Sequence, residues 1–413
     1  GMHWPFKQHK TSRNIKTLPY HDELKSFGAC FGVSGGYERP MWFALDGEKT
    51  EYEYSYNYQN WYPSAEYETN NTIKNVGLFD LTPFSKFEIK SNQAHRELQK
   101  ICTSNIKNEA GKCVYTHMLN PDGGIETDLT VVCIEKDHFR IISSAATRER
   151  DKFHINKHLA KDVELKDVTD DYCVFGVFGP KSRALMKSIS KDNFENDNFR
   201  FSTAKYITIE GIKIWTQRLS YVGELGYELY VKSEDAKKIY ELLVNKGKNF
   251  NLSNCGMHAM DIMRMESGFL HWGHDISPEE NQYQAGLSFT ISSKKEDEFI
   301  GIINYSVLTI IQLNMGAVDE PDLDNQQTFK LYNNIIEETK LLMLKKNHDY
   351  GEAWKEMRVS SLTDLILQKL YRVKKIENNQ GKTLVSEGLK ANFQDIINYA
   401  VFALIHLDNH EII

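Results

Sequence analysis

The turn Asn120-Pro121-Asp122-Gly123-Gly124 leads into Ile125, Glu126, Thr127 and Asp128, and then into an apolar alternating run. This order puts one carboxylate at the mouth of a strand. Asn, Pro and Gly serve turns on their own account, so the plain reading is turn chemistry and a solvated Asp. A carboxylate fixed there can also take up a proton released in a reaction, which makes Asp128 the first candidate catalytic residue. Polar and aromatic residues also gather at 115–120, 220–228, 256–266 and 271–276. His271 and His274 are spaced i, i+3 but have no third ligand in view, so they read as hydrogen-bonded structural histidines rather than a metal pair. A second set lies far downstream. Asp395 and Asn398 share a helix face, Glu337 and Glu338 lie on an earlier helix, and Lys369 and Arg372 are again i, i+3. Carboxylates converging inside a bundle can hold Mg²⁺ and a nucleotide's phosphates, with the two cations on phosphate oxygens. The plain alternative is a solvated helix face with ordinary ion pairs.

The elements that would carry the first set are mixed. Periodicity predicts strands at 84–89, 129–134 and 139–143, and a strand pair within 205–216 that turns at Glu210-Gly211. It predicts helices at 147–159 (with Thr147 as cap), 235–245 and 257–268. This is an α+β pattern. Residues 1–75 are rich in Tyr, Trp, Gly and Pro and read as a loop-rich aromatic entry segment. Beyond 301 the texture changes. Cys vanishes, Gly and Pro become rare, and amphipathic helices are predicted at 326–346, 362–377 and 392–410, an all-α bundle. An internal repeat marks the change: IINYSVLTIIQL at 302–313 recurs as IINYAVFALIHL at 396–407, identical at 7 of 12 positions. Nothing upstream of the first copy resembles the residues before the second. The chain therefore divides near Gly301 into 1–75, 76–301 and 302–413.

A net charge of −7 with no sustained basic run disfavours nucleic acid as a partner. The six cysteines are scattered without a C-x-x-C pair, which suits buried thiols in a cytoplasmic protein. No leader-like apolar region opens the sequence and no run approaches the length of a membrane span, so no membrane partner is expected.

Several of these segments together resemble the folate-binding aminomethyltransferase family. They are Thr17-Leu18-Pro19-Tyr20-His21-Asp22, the turn at 120–124 with Asp128, 115–120, 220–228, 256–266 and His271-Trp272-Gly273-His274-Asp275. That family includes the glycine-cleavage aminomethyltransferase and the C-terminal halves of dimethylglycine and sarcosine dehydrogenases. The opening His3-Trp4-Pro5 is most similar to the dimethylglycine branch, and the resemblance spans about 3–301. It implies an α+β folate domain that here lacks its last small β domain, with tetrahydrofolate as cofactor and one-carbon transfer as activity. It implies that Asp128 is catalytic, that Tyr115 lines a pterin pocket, that Glu224 binds the pterin amino edge, and that Tyr227 and Arg264 are cofactor-binding. The glycine-cleavage enzymes carry two consecutive aspartates where this chain has Thr127 and Asp128; if the first of them matters, the site is crippled. Met260 stands where the glycine-cleavage pattern has Arg, which argues against glycine as donor. With no G-x-G-x-x-G in view, the one-carbon unit is expected from a partner, an amine-oxidising flavoprotein.

Residues 302–410 resemble a two-repeat all-α domain associated with nucleotide modification, truncated in its first repeat. That resemblance implies a nucleotide-binding or triphosphate pyrophosphohydrolase-like module with Mg²⁺ at Glu337, Glu338 and Asp395. A third reading is a non-catalytic junction of two gene fragments.

Overall fold

A computed structural model describes residues 8–292, 295–316, 323–350, 352–379 and 388–410, with side chains omitted at 295–297, 347–350 and 408–410. The His3-Trp4-Pro5 run lies outside the described residues, as do the side chains at 347–350. The chain forms two compact units, Gly1–Ser292 and Ser293–Ile413. The division falls before Gly301, which sits inside a helix, so the edge of the repeat is not the edge of a domain.

In chain order the first unit contains α1 (His21–Ser26), β1 (Ala29–Ser34), β2 (Tyr37–Phe43), α2 (Tyr62–Lys74), β3 (Val76–Asp80), β4 (Ser85–Lys90), α3 (Ala94–Ile101) and β5 (Cys113–Leu119). It continues with β6 (Ile125–Glu135), β7 (His138–Ser143), α4 (Arg148–His158), β8 (Lys166–Asp167), β9 (Tyr172–Phe178) and α5 (Ser182–Ile189). β10 (Ala204–Ile209), β11 (Ile212–Gln217), β12 (Gly226–Lys232), α6 (Ala236–Gly247), β13 (Leu252–Cys255) and α7 (Met257–Glu266) complete it. One sheet has the order β10-β11-β12-β9-β3-β13, a second β5-β6-β7-β4-β8, and β1 and β2 form a separate ribbon.

The entry segment carries two helices and a hairpin that the sequence reading did not place, joined by irregular stretches at 8–20 and 44–61. Gly35 and Gly36, both at positive φ, close the β1–β2 hairpin. Helix α2 escaped notice because its buried face is polar or small: Ser64, Ala65, Glu68, Thr69 and Thr72. The Glu68 carboxylate accepts the Phe43 and Gly256 N–H groups at 2.7 and 2.8 Å, which satisfies it without apolar periodicity. Elsewhere the expected elements form. Glu210 and Gly211 both take positive φ at the β10–β11 turn. Thr147 flanks α4 but caps nothing; its hydroxyl donates to Asp151 Oδ2 at 2.6 Å.

The three larger cores of the first unit are stacked, and a small fourth cluster of Ile125, Ile276 and Leu287 lies at the β5–β6 hairpin. One packs α1, α5 and α6 on the six-stranded sheet through Phe175, Tyr227, Leu229 and Leu243. One lies between the two sheets and α7, with Phe79, Val132, Trp215 and Met260. One packs α3 and α4 under the five-stranded sheet, with Leu98, Leu129, Val131 and Ile155. After α7, residues 267–292 run mostly without regular structure across the β5–β6 hairpin. They are tied there by Glu280 O to Ile125 N (2.9 Å), Pro278 O to Asn120 Nδ2 (3.0 Å) and Trp272 Nε1 to Ile125 O (2.9 Å).

The second unit is helical: α8 (Lys295–Met315), α9 (Asn325–Tyr350), α10 (Val359–Asn378) and α11 (Leu389–His410). The two copies of the repeat lie in α8 and α11 and share one core through Val307, Ile310, Ile396, Ala400 and Ala403. Their outer faces differ. Phe402 is 7% exposed and stacks on Trp354 at 4.4 Å, whereas its counterpart Leu308 is 42% exposed. By length and composition alone, the stretch Glu298–Met315 of α8 would suffice to cross a membrane; its Ile303, Val307, Ile310 and Ile311 are spent in the bundle core.

A Cβ added at Gly124 would lie 1.8 Å from Pro278 O, a backbone atom held by its own hydrogen bond. Gly124→Ala therefore forces the hairpin and the 267–292 segment apart. The expected loss in urea unfolding is about 2 kcal/mol or more.

Candidate functional site

β6 starts at Ile125, earlier than its apolar pattern suggests, so Asp128 lies within the strand rather than at its mouth. Antiparallel pairing sets His117 opposite Asp128 and Tyr115 opposite Thr130. Opposed residues share a face, so Tyr115, His117, Glu126 and Asp128 look the same way. Thr127 looks the other way, with Met118, Leu129 and Val131, into the core under the sheet. Its hydroxyl is buried there without a partner among the described residues. A carboxylate at 127 would have to enter that core, so of positions 127 and 128 only the second can present an acid to the open face.

The Asp128 side chain is 15% exposed. Burial pushes its pKa up to about 7; a hydrogen bond from Tyr115 opposes the rise and the charge of Asp151 adds to it. His117 Nε2 approaches Asp128 Oδ1 at 3.9 Å. This is not an ion pair, because burial lowers His117 to about 4 and leaves it neutral at pH 7. Its Nδ1 lies 3.0 Å from Thr290 Oγ1, whose hydroxyl also reaches Leu287 O at 2.7 Å, and its Nε2 lies 3.2 Å from the Tyr115 hydroxyl. Burial and the Asp128 charge push the Tyr115 hydroxyl far above its ordinary value, so it stays protonated.

Tyr221, from the loop before β12, completes the polar face. Its hydroxyl donates to Leu270 O at 2.8 Å and its ring stacks on Phe269 at 6.1 Å. The charges acting on it include Asp128. Arg150 pairs with Glu126 at 2.8 Å and lies 4.3 Å above the Trp272 ring.

The other expected site residues divide. Glu224 lies half-buried in the loop before β12, and burial alone raises its pKa, with no hydrogen bond from a described residue to offset it. It is an uncommitted acceptor. Tyr227 lies elsewhere: it is fully buried between Phe194 and Phe199 in the core over the helices. The pleat turns it away from the between-sheet layer that holds Tyr230. Arg264 is neither at a helix surface nor open to a ligand. It is buried and bound to Asp261 (2.8 Å), Asp275 and Phe269 O (3.1 Å), which ties α7 to the turn after it. His271 and His274 stack at 4.4 Å beside that turn.

The helical unit does not assemble the expected metal site. Asp395 is buried and holds Lys346 at 2.7 Å and Lys369 at 2.6 Å, so its charge is already spent on two cations. Glu338 pairs with Lys390 at 2.8 Å, and Glu337 points to solvent near Lys340. Among the described residues no group of three His, Cys, Asp or Glu side chains could hold a metal ion. The Mg²⁺ reading finds no support among the described residues, where nearby lysines pair with Asp395 and Glu338.

Two sheets, with a buried acid on a hairpin roofed by an irregular segment, place the first unit in the aminomethyltransferase fold. The crystal structure of glycine cleavage system aminomethyltransferase T from Bartonella henselae matches with a TM-score of 0.58 at 20% identity, over 69% of this chain and 72% of that one. The GCVT N-terminal domain profile matches residues 20–295, and the chain belongs to that aminomethyltransferase family. Aminomethyltransferase of Anoxybacillus flavithermus is 30% identical over 288 residues, covering 70% of this chain and 74% of that protein. 4-Methylaminobutanoate oxidase (formaldehyde-forming) of Paenarthrobacter nicotinovorans is 38% identical over 303 residues, 73% of this chain and 37% of that protein. Human mitochondrial dimethylglycine dehydrogenase is 32% identical over 273 residues, 65% of this chain and 31% of that protein. The chain thus spans about a third of the length of these two relatives. Residues 346–407 match Nucleotide modification associated domain 1.

Two substitutions check this geometry. Thr127→Val removes a buried hydroxyl that lacks a partner, so unfolding free energy should stay level or rise by up to about 1 kcal/mol in urea denaturation. Arg264→Met strands Asp275 and the Phe269 carbonyl. It should cost about 2 kcal/mol and expose the 267–276 turn to proteolysis.

Proposed function

We propose that the first unit binds tetrahydrofolate against the Asp128 face and transfers a one-carbon unit to it. Membership of the aminomethyltransferase family supports folate-dependent one-carbon transfer in general. The observation that carries the finer reading is a carboxylate, nearly buried and held near neutrality, beside two protonated tyrosines and a neutral histidine. Bound tetrahydrofolate would supply the ring nitrogen that accepts the carbon. Asp128 holds that nitrogen's N–H and takes up the proton released on transfer. Tyr115 and neutral His117 orient the carboxylate without fixing it as an ion pair. Glu224, uncommitted within the chain, would accept the paired N–H donors of the pterin edge. Arg264 is excluded from binding the folate tail by its own two carboxylates.

The donor we infer is an N-methyl amine rather than glycine, oxidised by a flavoprotein partner, in keeping with Met260 and with relatives named as an oxidase and a dehydrogenase.

The full chain titrated with tetrahydrofolate should show saturable quenching of tryptophan fluorescence, since Trp272 roofs the hairpin. With an added amine-oxidising flavoprotein as source, Asp128→Asn should lower methylenetetrahydrofolate formation about 10²-fold or more. Proton uptake needs the carboxylate, so the wild-type rate should climb as pH rises through about 7. Stability runs the opposite way. A carboxyl whose folded value lies above its unfolded one loses stability as pH rises toward that value, so the Asn variant should be no less stable above pH 7. An Asn variant that transfers at the wild-type rate would show that residue 128 is not the acid.

A further inference from the structure

Helix α4 is tied to both faces of the five-stranded sheet. Ile155 buries it in the core under the sheet. Arg150, in its first turn, reaches the opposite face. β7 stops at Ser143, paired with Leu129, so β6 has no β7 neighbour beside Glu126. Arg150 Nη2 meets Glu126 Oε1 there at 2.8 Å, and Glu126 looks the same way as Asp128. The guanidinium also lies 4.3 Å from the centre of the Trp272 ring, and Trp272 Nε1 donates to Ile125 O at 2.9 Å. One side chain therefore joins the hairpin, the helix beneath it and the segment above it.

The two contacts suit an arginine. A planar guanidinium can offer its edge to a carboxylate and its face to a ring at the same time, which an ammonium cannot do. Each contact is weak at a partly open rim, where Arg150 and Glu126 are 34% and 19% exposed. Their value lies in what they hold. The far part of the 267–292 segment has bonds of its own: Pro278 O to Asn120, Glu280 O to Ile125, and Thr290 Oγ1 beside His117. At residue 272 the hold on the hairpin is the indole hydrogen bond, the small apolar cluster around Ile125, and Arg150.

We propose that Arg150 is a positioning residue that latches this roof over Asp128, with Glu126 setting the guanidinium and Trp272 as the part it holds. Glu126 acts through Arg150, so losing either member of the pair frees the ring to the same end. With the latch released, the stretch at 267–276 lifts more often, and a ligand beneath it enters and leaves faster. The latch concerns this chain alone. That the ligand beneath it is tetrahydrofolate rests on the one-carbon reading.

Hydrogen exchange of the indole N–H groups, read by NMR on the full chain with labelled tryptophan and no cofactor, tests the latch. In Arg150→Met the Trp272 indole should exchange about tenfold faster. The indole of Trp42, fully buried in β2, should be unchanged and so checks the fold. Arg150→Lys keeps the charge but not the plane, and should recover only part of the protection. Glu126→Gln should also speed exchange at Trp272, and adding it to Arg150→Met should bring no further gain. Unchanged Trp272 exchange in Arg150→Met, or effects of the two substitutions that simply add, would overturn the proposal. Release of bound tetrahydrofolate in a stopped flow should quicken about tenfold in Arg150→Met. Faster Trp272 exchange beside an unchanged release rate would leave the latch standing and remove the folate site proposed for this face.

Discussion

The antiparallel register between β5 and β6 is the constraint on which the first unit depends. Setting His117 against Asp128 does two things at once. It gathers the polar groups Tyr115, His117, Glu126 and Asp128 on one face. It sends Met118, Thr127, Leu129 and Val131 to the other, where they fill a core. The polar face is then buried by a chain segment rather than by a helix or strand. That segment is joined to the hairpin through Ile125, Asn120 and Trp272, and anchored at its root by buried Arg264. Desolvation of Asp128 and His117, in opposite directions, follows from that cover.

How much of this was legible in the sequence depended on whether a residue's partner was apolar and near in sequence. β4, β6, β7 and the β10–β11 hairpin were visible from alternation and turn residues. Helix α2 was not, because it buries Glu68 and three hydroxyl residues rather than an apolar stripe. His117 could have been found by counting back through the 120–124 turn from Asp128. Thr290 could not, since it is 173 residues from the histidine it fixes. Tyr227 and Arg264 show the opposite failure: both occupy positions that resemblance marks as cofactor-binding, yet a core and an internal ion-pair cluster claim them here. The acids of the helical unit were rightly placed on facing helices. What spacing on one helix could not show is that Lys346 and Lys369 arrive from two others.

The repeat in the second unit carries a related lesson. α8 and α11 hold similar sequences and pack on each other, but α10 packs chiefly on α11, whose Phe402 also stacks on Trp354. Likeness of sequence gave likeness of helix and of buried row. It did not give likeness of environment, because the flanking elements decide how much of each helix meets solvent.

The two faces of β6 have a consequence for how this hairpin can change length. Side chains alternate with a period of two, but the β5–β6 register shifts by one between Met118 and Leu119, so a bulge lies between the turn and residue 128. A one-residue change taken up at that bulge keeps the acid on its face; one taken up in the regular pairing beyond it would push the acid into the hydrocarbon layer. Gly124, wedged against a carbonyl from a segment more than 150 residues away, leaves little slack for either. Within such a hairpin, substitutions are a freer route for variation than insertions or deletions.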